Sequence, residues 1–502
     1  MRPFILATLL FLPLALQSCA SPSPTRSTAT QSPLPQKTDT QRLATTKPGN
    51  PTRTATENPL AATIAATATP YPIFDPASAP AATSPSRQVC PTEGPEVEVS
   101  VPSNLTTILS TQPELLSEYV FRALNAGASA SQVSAAFGRA LRDPDALPLR
   151  DLTGDGQPEL LVPQLSILYV FGCVDGNYQQ IIEYGGEPTG PPEIALVKDL
   201  NRNRIPEVAF SSCLSTACFG EIDIFEWDGK HFRRLIQVNH GPTSPTTSRW
   251  AKALYWYGDT RPRWEAPVMN GPASIRVTDP NRDGFYEVQV SDQGPIHFDT
   301  LCTFGPWRPK TLVFEWDGIH FLYTSLHLAE PQYRFQAVQE ADRLFLLGQY
   351  DEAVDFYQEA IFSNELGGWS RLLAENYTRS CGASIDGFST PILPAHDPLE
   401  YQVLSAYARY RIAVSYLARG WLDDAAPVLQ ALQSRHPEGN EGHDFAKMAI
   451  TFSDTLEASG DLHAACAAAL EEFRDDTLLV YLGSDHHGGQ SHHYDKADLC
   501  PF

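Results

Sequence analysis

Basic side chains are scarce in this sequence of 502 residues. There are 36 of them against 59 acidic ones, which gives the chain a formal net charge of −23 at pH 7. A negative field of this size repels phosphate backbones and anionic lipid headgroups. We therefore expect that the protein does not bind nucleic acid.

Motifs of catalysis, zinc binding and membrane spanning are also lacking. The chain has no Gly-x-Ser-x-Gly elbow, no His-Glu-x-x-His pair and no Gly-Lys-Ser/Thr phosphate loop. None of its cysteines has the Cys-x-x-Cys spacing that is typical of zinc sites. Beyond residue 16 no apolar run approaches the roughly 18 residues that a membrane-spanning helix needs. The sequence thus predicts no catalytic residues and no spanning helix.

The one long apolar run stands at the N-terminus. Arg2 precedes an apolar run over residues 4–16, which is too short to cross a bilayer as a mature helix. A charged start, an apolar centre and a small residue before the cut are typical of a secretory signal peptide. The sequence Leu16-Gln17-Ser18-Cys19 then resembles the bacterial lipobox, in which the cysteine becomes the lipidated first residue of the mature protein.

This resemblance implies a lipoprotein signal peptide over residues 1–18 and lipidation at Cys19. It implies an extracytoplasmic protein, anchored to a membrane of the bacterial cell envelope or at the cell surface. The segment 19–89, rich in Ser, Thr, Pro and Ala, is predicted to be a disordered tether because it cannot bury a core. The alternative is an ordinary signal peptide that happens to end beside a cysteine.

Eight cysteines remain once Cys19 is set aside, an even number that fits disulfide pairing in an oxidising compartment. Cys213 and Cys218 are close enough in sequence to staple one tight loop. A bridge between Cys466 and Cys500 would pin the C-terminal tail to a helix. For each of them a buried free thiol is the alternative. The pairing of the other four stays open: Cys90, Cys173, Cys302 and Cys381.

An acidic segment of nine residues occurs three times, at 151–159, 199–207 and 279–287. An apolar β-type run follows each copy, and an Asp-Gly pair between apolar residues comes later, at Asp175, Asp228 and Asp317. Asp-Gly in such a setting is a strong signal for a β-hairpin. One unit is therefore predicted as an acidic loop, two strands, an Asp-Gly turn and a third strand.

Oxygens at positions 1, 3, 5 and 9 of such a loop converge on one point, where Ca²⁺ takes six to eight oxygen ligands. Gly156 and Gly284 supply the positive φ that position 6 requires. An EF-hand is excluded because position 12 is apolar and a strand follows. The second copy has Arg204 at position 6 and is expected to hold no metal. The candidate ligands are Asp279, Asn281, Asp283 and Glu287, then Asp151, Thr153, Asp155 and Glu159.

These loops and hairpins resemble the VCBS and FG-GAP repeats of the integrin-type β-propeller family. The resemblance implies an all-β, propeller-like domain over residues 90–326, with an N-terminal helical segment, in the form of a partial or irregular propeller. It also implies Ca²⁺ as a cofactor, although position 9 is glutamate here where the family has aspartate. The alternative is a set of turns that Asx hydrogen bonds stabilise without an ion.

From about residue 330 the apolar pattern becomes helical, and a second repeat begins. The segments that start at Leu347-Gly348, Arg419-Gly420 and Gly460-Asp461 resemble the tetratricopeptide pattern, with the glycine between paired helices. The resemblance implies all-α tetratricopeptide-like repeats over residues 327–502, with a groove that holds a protein or peptide. The cysteine positions add a disulfide-pinned tail to this domain. A generic helical bundle is the alternative.

Together these features favour a non-catalytic, surface-tethered lipoprotein that binds or scaffolds a protein, peptide or glycan partner. Repeats build recognition surfaces by copying a unit, whereas a catalytic site needs one constellation that is not repeated. The alternative is an extracytoplasmic, glycan-directed hydrolase whose acidic site is hidden among the 59 carboxylates.

Overall fold

The computed structural model describes residues 90, 97–113, 115–185, 192–213, 220–237, 253, 273–292, 308–369, 398–483 and 492–502. The predicted signal peptide, Cys19 and the tether lie outside these residues. In the described ranges, β-sheets occupy the first half of the chain and helices the second, so the predicted order of β region and helical region is confirmed. The same ranges contain no helix that is long and apolar enough to cross a membrane.

Among the described residues, three short helices precede the first sheet: α1 (Leu105–Thr111), α2 (Leu115–Asn125) and α3 (Ala130–Leu141). The third begins with a capping box, in which the Ser129 hydroxyl accepts from the Gln132 N–H at 3.2 Å and the Gln132 side chain accepts from the Ser129 N–H at 2.9 Å. Val133 and Phe137 lie four residues apart on its buried face. This face covers the first sheet.

In the part that the structure describes, the β half contains three antiparallel four-stranded meanders. Each has its strands in sequence order, and the third gains β9 as a parallel edge strand beside β13. The first meander consists of β1 (Leu149–Arg150), β2 (Glu159–Gln164), β3 (Ile167–Val174) and β4 (Asn177–Gly185). The second consists of β5 (Glu193–Lys198), β6 (Glu207–Cys213), β7 (Gly220–Trp227) and β8 (Phe232–Arg234), after which β9 (Ile236–Gln237) follows. The third consists of β10 (Ala273–Thr278), β11 (Glu287–Asp292), β12 (Lys310–Trp316) and β13 (Phe321–Leu328).

The hairpins predicted from the Asp-Gly pairs are confirmed. Asp175 and Gly176 form the two-residue turn between β3 and β4, with φ of 51° and 81°. The other two Asp-Gly pairs open four-residue loops. In the first of these loops the Asp228 N–H donates to the His231 carbonyl at 3.0 Å. In the second, the Asp317 N–H donates to the His320 carbonyl at the same distance.

Strands β2 and β6 are buried on both faces, because their alternate residues pack against different neighbours. In β2, Val162 belongs to the core shared with α2 and α3, whereas Leu161 belongs to the core shared with the second sheet. In β6, Val208 and Phe210 pack toward the first sheet, and Ala209 packs toward the third. The third sheet shares its core with the helical half. The β half is therefore a stack of layers.

The described residues of the second half form six α-helices: α4 (Arg334–Leu346), α5 (Tyr350–Phe362), α6 (Pro398–Ala418), α7 (Leu422–Arg435), α8 (His443–Ser459) and α9 (Leu462–Glu472). They pack as consecutive pairs, and α6 also packs against α5 and α8. A glycine with positive φ lies in the turn of each pair, at Gly348, Gly420 and Gly460. Two 3₁₀ helices follow, at Asp476–Leu482 and Lys496–Leu499.

Two disulfides have both partners in the described residues. One joins Cys90 to Cys173 in strand β3, and the other joins Cys466 in helix α9 to Cys500 near the C-terminus. Cys213 is also disulfide-bonded, and the sequence-predicted partner Cys218 lies outside the described residues. Two further cysteines with open pairing, Cys302 and Cys381, lie outside them as well.

Candidate functional site

The three acidic loops lie side by side, each between the first and second strand of its sheet. A Cβ atom added to Gly154 in the first loop would lie 2.5 Å from Cδ of Pro206 in the second. The second loop contacts the third, because the Tyr286 N–H donates to the Leu200 carbonyl at 2.9 Å and the Arg202 guanidinium donates to the Asp283 carbonyl. The loops form a continuous row along one edge of the stack.

The loops share one backbone conformation. Positions 4 and 6 have positive φ in every copy: Gly154 at 76°, Arg202 at 64° and Arg282 at 58°, then Gly156 at 82°, Arg204 at 70° and Gly284 at 85°. Left-handed backbone costs a residue with a Cβ about 1 kcal/mol. Arg204 adopts it where the other copies have glycine, so the second loop keeps the shape of the repeat in spite of its different sequence.

Aspartate and asparagine side chains close each loop through bonds to its own backbone. The N–H of position 6 donates to Oδ2 of position 1 at 3.0 Å in all three copies, with Asp151, Asp199 and Asp279 as acceptors. The N–H of position 7 donates to Oδ1 of position 5 at 2.7 to 2.8 Å, as in Asp155 and Asp283. The bonds between positions 5 and 7 are Asx-turn bonds, the kind that the ion-free alternative requires.

The glutamate at position 9 links the loop to the strand that follows. Oε2 of Glu159 accepts from the Leu152 N–H at 2.6 Å, and Glu207 repeats the bond with the Leu200 N–H at the same distance. Burial raises the pKa of Glu159 to about 7, and the nearby Asp151 carboxylate adds to the shift. This glutamate thus acts first as a buried acceptor for its own loop.

The second loop contains a polar network that the sequence did not reveal. Glu207 lies opposite Glu226 in the β6–β7 ladder. Oε2 of Glu226 accepts from the amide of Asn201 at 2.7 Å and from the amide of Asn203. Arg233 contacts the other oxygen of Glu226 at 3.1 Å. Amide donors therefore stand at positions 3 and 5, where a cation would need acceptors. The one signal of this network in the sequence was Asn203, an asparagine where the other two copies have aspartate at position 5.

The acidic groups of the third loop lie close to one another. Oδ1 of Asp279 is buried and has no hydrogen-bond partner in the described part of the chain, and Oδ1 of Asp199 in the second loop is in the same state. Asn281 bonds to Asp283 twice, donating from its amide to Oδ2 at 2.8 Å and accepting from the N–H at 3.2 Å. Burial raises the pKa of Glu287, and then Glu315, Asp283 and Asp279 raise it further. The acidic groups of this loop thus repel one another.

The candidate ligands suit a hard cation in type but not in position. Across the described ranges, no three Asp, Glu, His or Cys side chains converge closely enough to hold a metal ion. In the first loop, the Thr153 hydroxyl donates to Glu159 at 3.2 Å rather than facing the other candidate oxygens. Calcium binding would require side-chain rotation in either loop.

A second constellation, which sequence reasoning missed, lies in the helical half. Asp342 of α4 and Arg411 of α6 form an ion pair of 3.0 Å, with each side chain 1% exposed. Three tyrosines donate to the Asp342 carboxylate: Tyr357 to Oδ1, and Tyr407 and Tyr494 to Oδ2, the last two at 2.9 and 2.5 Å. Arg411 also donates to the Tyr357 hydroxyl at 3.0 Å. Charged residues inside apolar helices were the available signal.

The C-terminal segment 492–502, here called the tail, packs over this ion pair. Its contacts come from four helices, and we call those contact residues the tail site: Gln339, Asp342, Phe345, Tyr407, Arg411, Phe452 and Cys466. The guanidinium of Arg411 donates to the carbonyls of Asp498 and Leu499, at 3.3 and 3.1 Å. The Phe502 ring lies 5.6 Å from the Phe345 ring and 6.3 Å from the Phe452 ring.

Comparison with known proteins gives no match. No protein-family model, no curated protein and no solved structure matches this chain. The functional interpretation therefore depends on the residues and geometry described above.

Proposed function

We propose that this protein is a non-catalytic lipoprotein that binds or scaffolds a partner outside the cytoplasm. Lipidation at Cys19 would tether it to a membrane of the bacterial cell envelope or at the cell surface. Its partner is a protein or peptide that binds through the helical half, and a glycan is a further candidate ligand.

One observation carries this proposal: helices α4, α6, α8 and α9 hold the tail, a peptide segment whose one regular element is the 3₁₀ helix Lys496–Leu499. Two of its main-chain carbonyls are bound by Arg411. Main-chain carbonyls are present in every peptide, and terminal aromatic rings such as Phe502 are common anchors at protein interfaces. The tail site thus has the chemistry that a peptide partner requires.

We also propose that each half of the protein belongs to a repeat family. The β half is a partial, propeller-like array of VCBS or FG-GAP units, supported by the repeated meander and the shared loop conformation. The helical half is a tetratricopeptide-like array, supported by the consecutive helix pairs and their turn glycines. Copied units of this kind build extended recognition surfaces.

We further propose that Ca²⁺ is a structural ligand of the third loop and, more weakly, of the first. The support is the buried, unpartnered Oδ1 of Asp279 in the described chain and the crowding of acidic groups around Glu287. A bound cation would neutralise this repulsion and stiffen the row of loops. The second loop would hold none, because the amides of Asn201 and Asn203 already donate to Glu226.

The experiment for the proposed function is capture followed by cross-linking. Residues 90–502 would be immobilised in the oxidised and in the dithiol-reduced form, exposed to an envelope extract and treated with a lysine cross-linker. We expect the partner to be linked to Lys447 in α8 and to Lys496 in the tail. The matched control positions are Lys198 and Lys230 in the β half, and links confined to these two would contradict binding through the helices.

A parallel assay separates binding from catalysis. The same protein is incubated with a panel of chromogenic glycosides and peptides. We expect no turnover with any of them. Hydrolysis that survives repurification would contradict the non-catalytic proposal and favour the glycan-directed hydrolase.

A further inference from the structure

The tail makes the contacts of a bound peptide rather than those of a simple chain end. The Tyr494 hydroxyl donates to Asp342 at 2.5 Å, and its ring meets the Tyr407 ring edge-on at 6.3 Å. Gln339 accepts from the His492 N–H at 3.2 Å. Together with the aromatic contacts of Phe502, these interactions span the whole described tail.

Backbone and side chains both hold the middle of the tail. Arg411 reaches two consecutive carbonyls, those of Asp498 and Leu499, while its charge is balanced by Asp342. The Leu499 side chain is fully buried in the core. Tyr494 and Phe502 supply the aromatic contacts at the two ends of the tail. A peptide with an aromatic hydroxyl near one end and an aromatic ring at the other has the same recognisable features.

The Cys466–Cys500 disulfide fastens this segment to helix α9. Both cysteines are buried, with 3% and 5% of their surface exposed. A tethered ligand has an effective concentration in the millimolar range, so an external peptide competes poorly with it. The disulfide further prevents the tail from leaving the site at all.

We propose that the tail is an internal ligand of the tail site, and that the Cys466–Cys500 disulfide keeps the site closed to external peptides of the same chemistry. This inference rests on the proposed function and names the ligand class and the control of that same site. Opening requires a dithiol reductant. The sulfur–sulfur bond breaks, each cysteine takes up one electron and one proton, and the reductant becomes a disulfide.

The test is a peptide titration on the full chain without its disulfide. The probe is a fluorescent peptide with the sequence of residues 492–502 and the Cys500→Ser change. We expect the double variant Cys466→Ser with Cys500→Ser to bind it at least tenfold more tightly than the oxidised wild type, by fluorescence anisotropy. Wild type that has been reduced by a dithiol should behave as the variant does, and reoxidation should abolish the gain.

A second variant makes the outcome specific. Adding Tyr494→Phe and Phe502→Ala to the disulfide-free chain weakens its own tail, so the affinity for the probe should rise further. A probe that carries those two changes should bind poorly. Circular dichroism establishes that each variant is folded, and the reduced wild type replaces any variant that is not.

Two results would overturn the inference. One is a folded, disulfide-free chain that binds the probe no better than the oxidised protein. The other is the formation of a dimer, detected by size exclusion, when the disulfide opens. The tail would then be a segment that two copies of the chain swap. Capture of a partner through the β half would instead contradict the proposed function while leaving the titration result intact.

Discussion

The guanidinium of Arg411 lies 3.0 Å from the carboxylate of Asp342, and the two side chains are each 1% exposed. Ions of this kind lose their hydration on folding, and only close pairing and further hydrogen bonds compensate for the loss. Tyr357 and Tyr407 supply such bonds to the carboxylate, and the tail carbonyls supply them to the guanidinium. The pair is thus satisfied by two helices and the tail together.

Breaking this pair should destabilise the protein strongly. Asp342→Ala leaves the Arg411 charge buried without its partner, which costs about 3 to 5 kcal/mol. Chemical denaturation followed by circular dichroism measures the loss. The control is Asp351→Ala, which removes the 2.6 Å pair between Arg419 and a side chain that is 80% exposed. An exposed pair contributes about 0 to 1 kcal/mol, so equal losses in the two variants would refute the role of the buried pair.

Glu207 should make the stability of the protein depend on pH. Burial raises its folded pKa to about 9, and the carboxylates of Glu226 and Asp199 add to the effect. Because the folded pKa lies above the ordinary value near 4.5, the contribution of this group is complete below that pH and is lost as pH rises toward 9. The slope from one group is at most about 1.4 kcal/mol per pH unit.

Glu207→Gln tests this dependence. The amide oxygen can still accept from the Leu200 N–H, but the side chain no longer ionises. We expect the free energy of unfolding of the variant to fall less steeply than that of the wild type between pH 5 and about 9, as measured by urea denaturation. Glu352→Gln, on the exposed side of α5, serves as the control and should follow the wild type. Parallel curves for Glu207→Gln and wild type would refute the assignment.

Calcium should stabilise the folded protein. Ligand binding to the folded state alone adds about 2.7 kcal/mol at a hundredfold excess over Kd. A Kd on the order of 10⁻⁴ to 10⁻³ M is expected, as in other extracellular modules. Tm should therefore rise with millimolar Ca²⁺ and fall with a chelator.

The loop variants identify where calcium acts. Asp279→Ala with Asp283→Ala should remove most of the response, whereas Asp199→Ala should remove little, since the second loop is filled by amide donors to Glu226. A Tm that changes with neither Ca²⁺ nor chelator would favour Asx turns without an ion and would refute a structural role for calcium.

The membrane anchor depends on one thiol. Cys19→Ala removes the proposed acylation site, so the protein should leave the membrane fraction or fail to mature. Fractionation and the mass of the mature N-terminus measure both effects. If the variant partitions and matures as the wild type does, the lipoprotein assignment is wrong.

Local features of the fold could be predicted from the sequence. The Asp-Gly pairs at Asp175, Asp228 and Asp317 specify hairpins through backbone preferences of two residues, and the structure has a hairpin at each. In the same way, Gly348, Gly420 and Gly460 predicted the turns between paired helices. Such signals need no knowledge of distant partners.

The site could not be predicted in the same way, because its contacts join distant parts of the chain. Asp342 and Tyr494 are 152 residues apart, and no local pattern pairs them. In the acidic loops, the residue types predicted a converging oxygen set, but backbone N–H groups compete for those oxygens. Glu159, predicted as a ligand, accepts from its own loop instead.

Hydrogen exchange tests most directly whether the Cys466–Cys500 disulfide holds the tail in the tail site. The amides of residues 492–502 are followed by mass spectrometry in the wild type, before and after reduction by a dithiol. If the disulfide holds the tail in its site, reduction removes protection from the tail while helix α6 keeps it. Protection that persists in the tail, or that is lost from the tail and α6 together, would contradict the view that the tail is a ligand held in place by the Cys466–Cys500 disulfide.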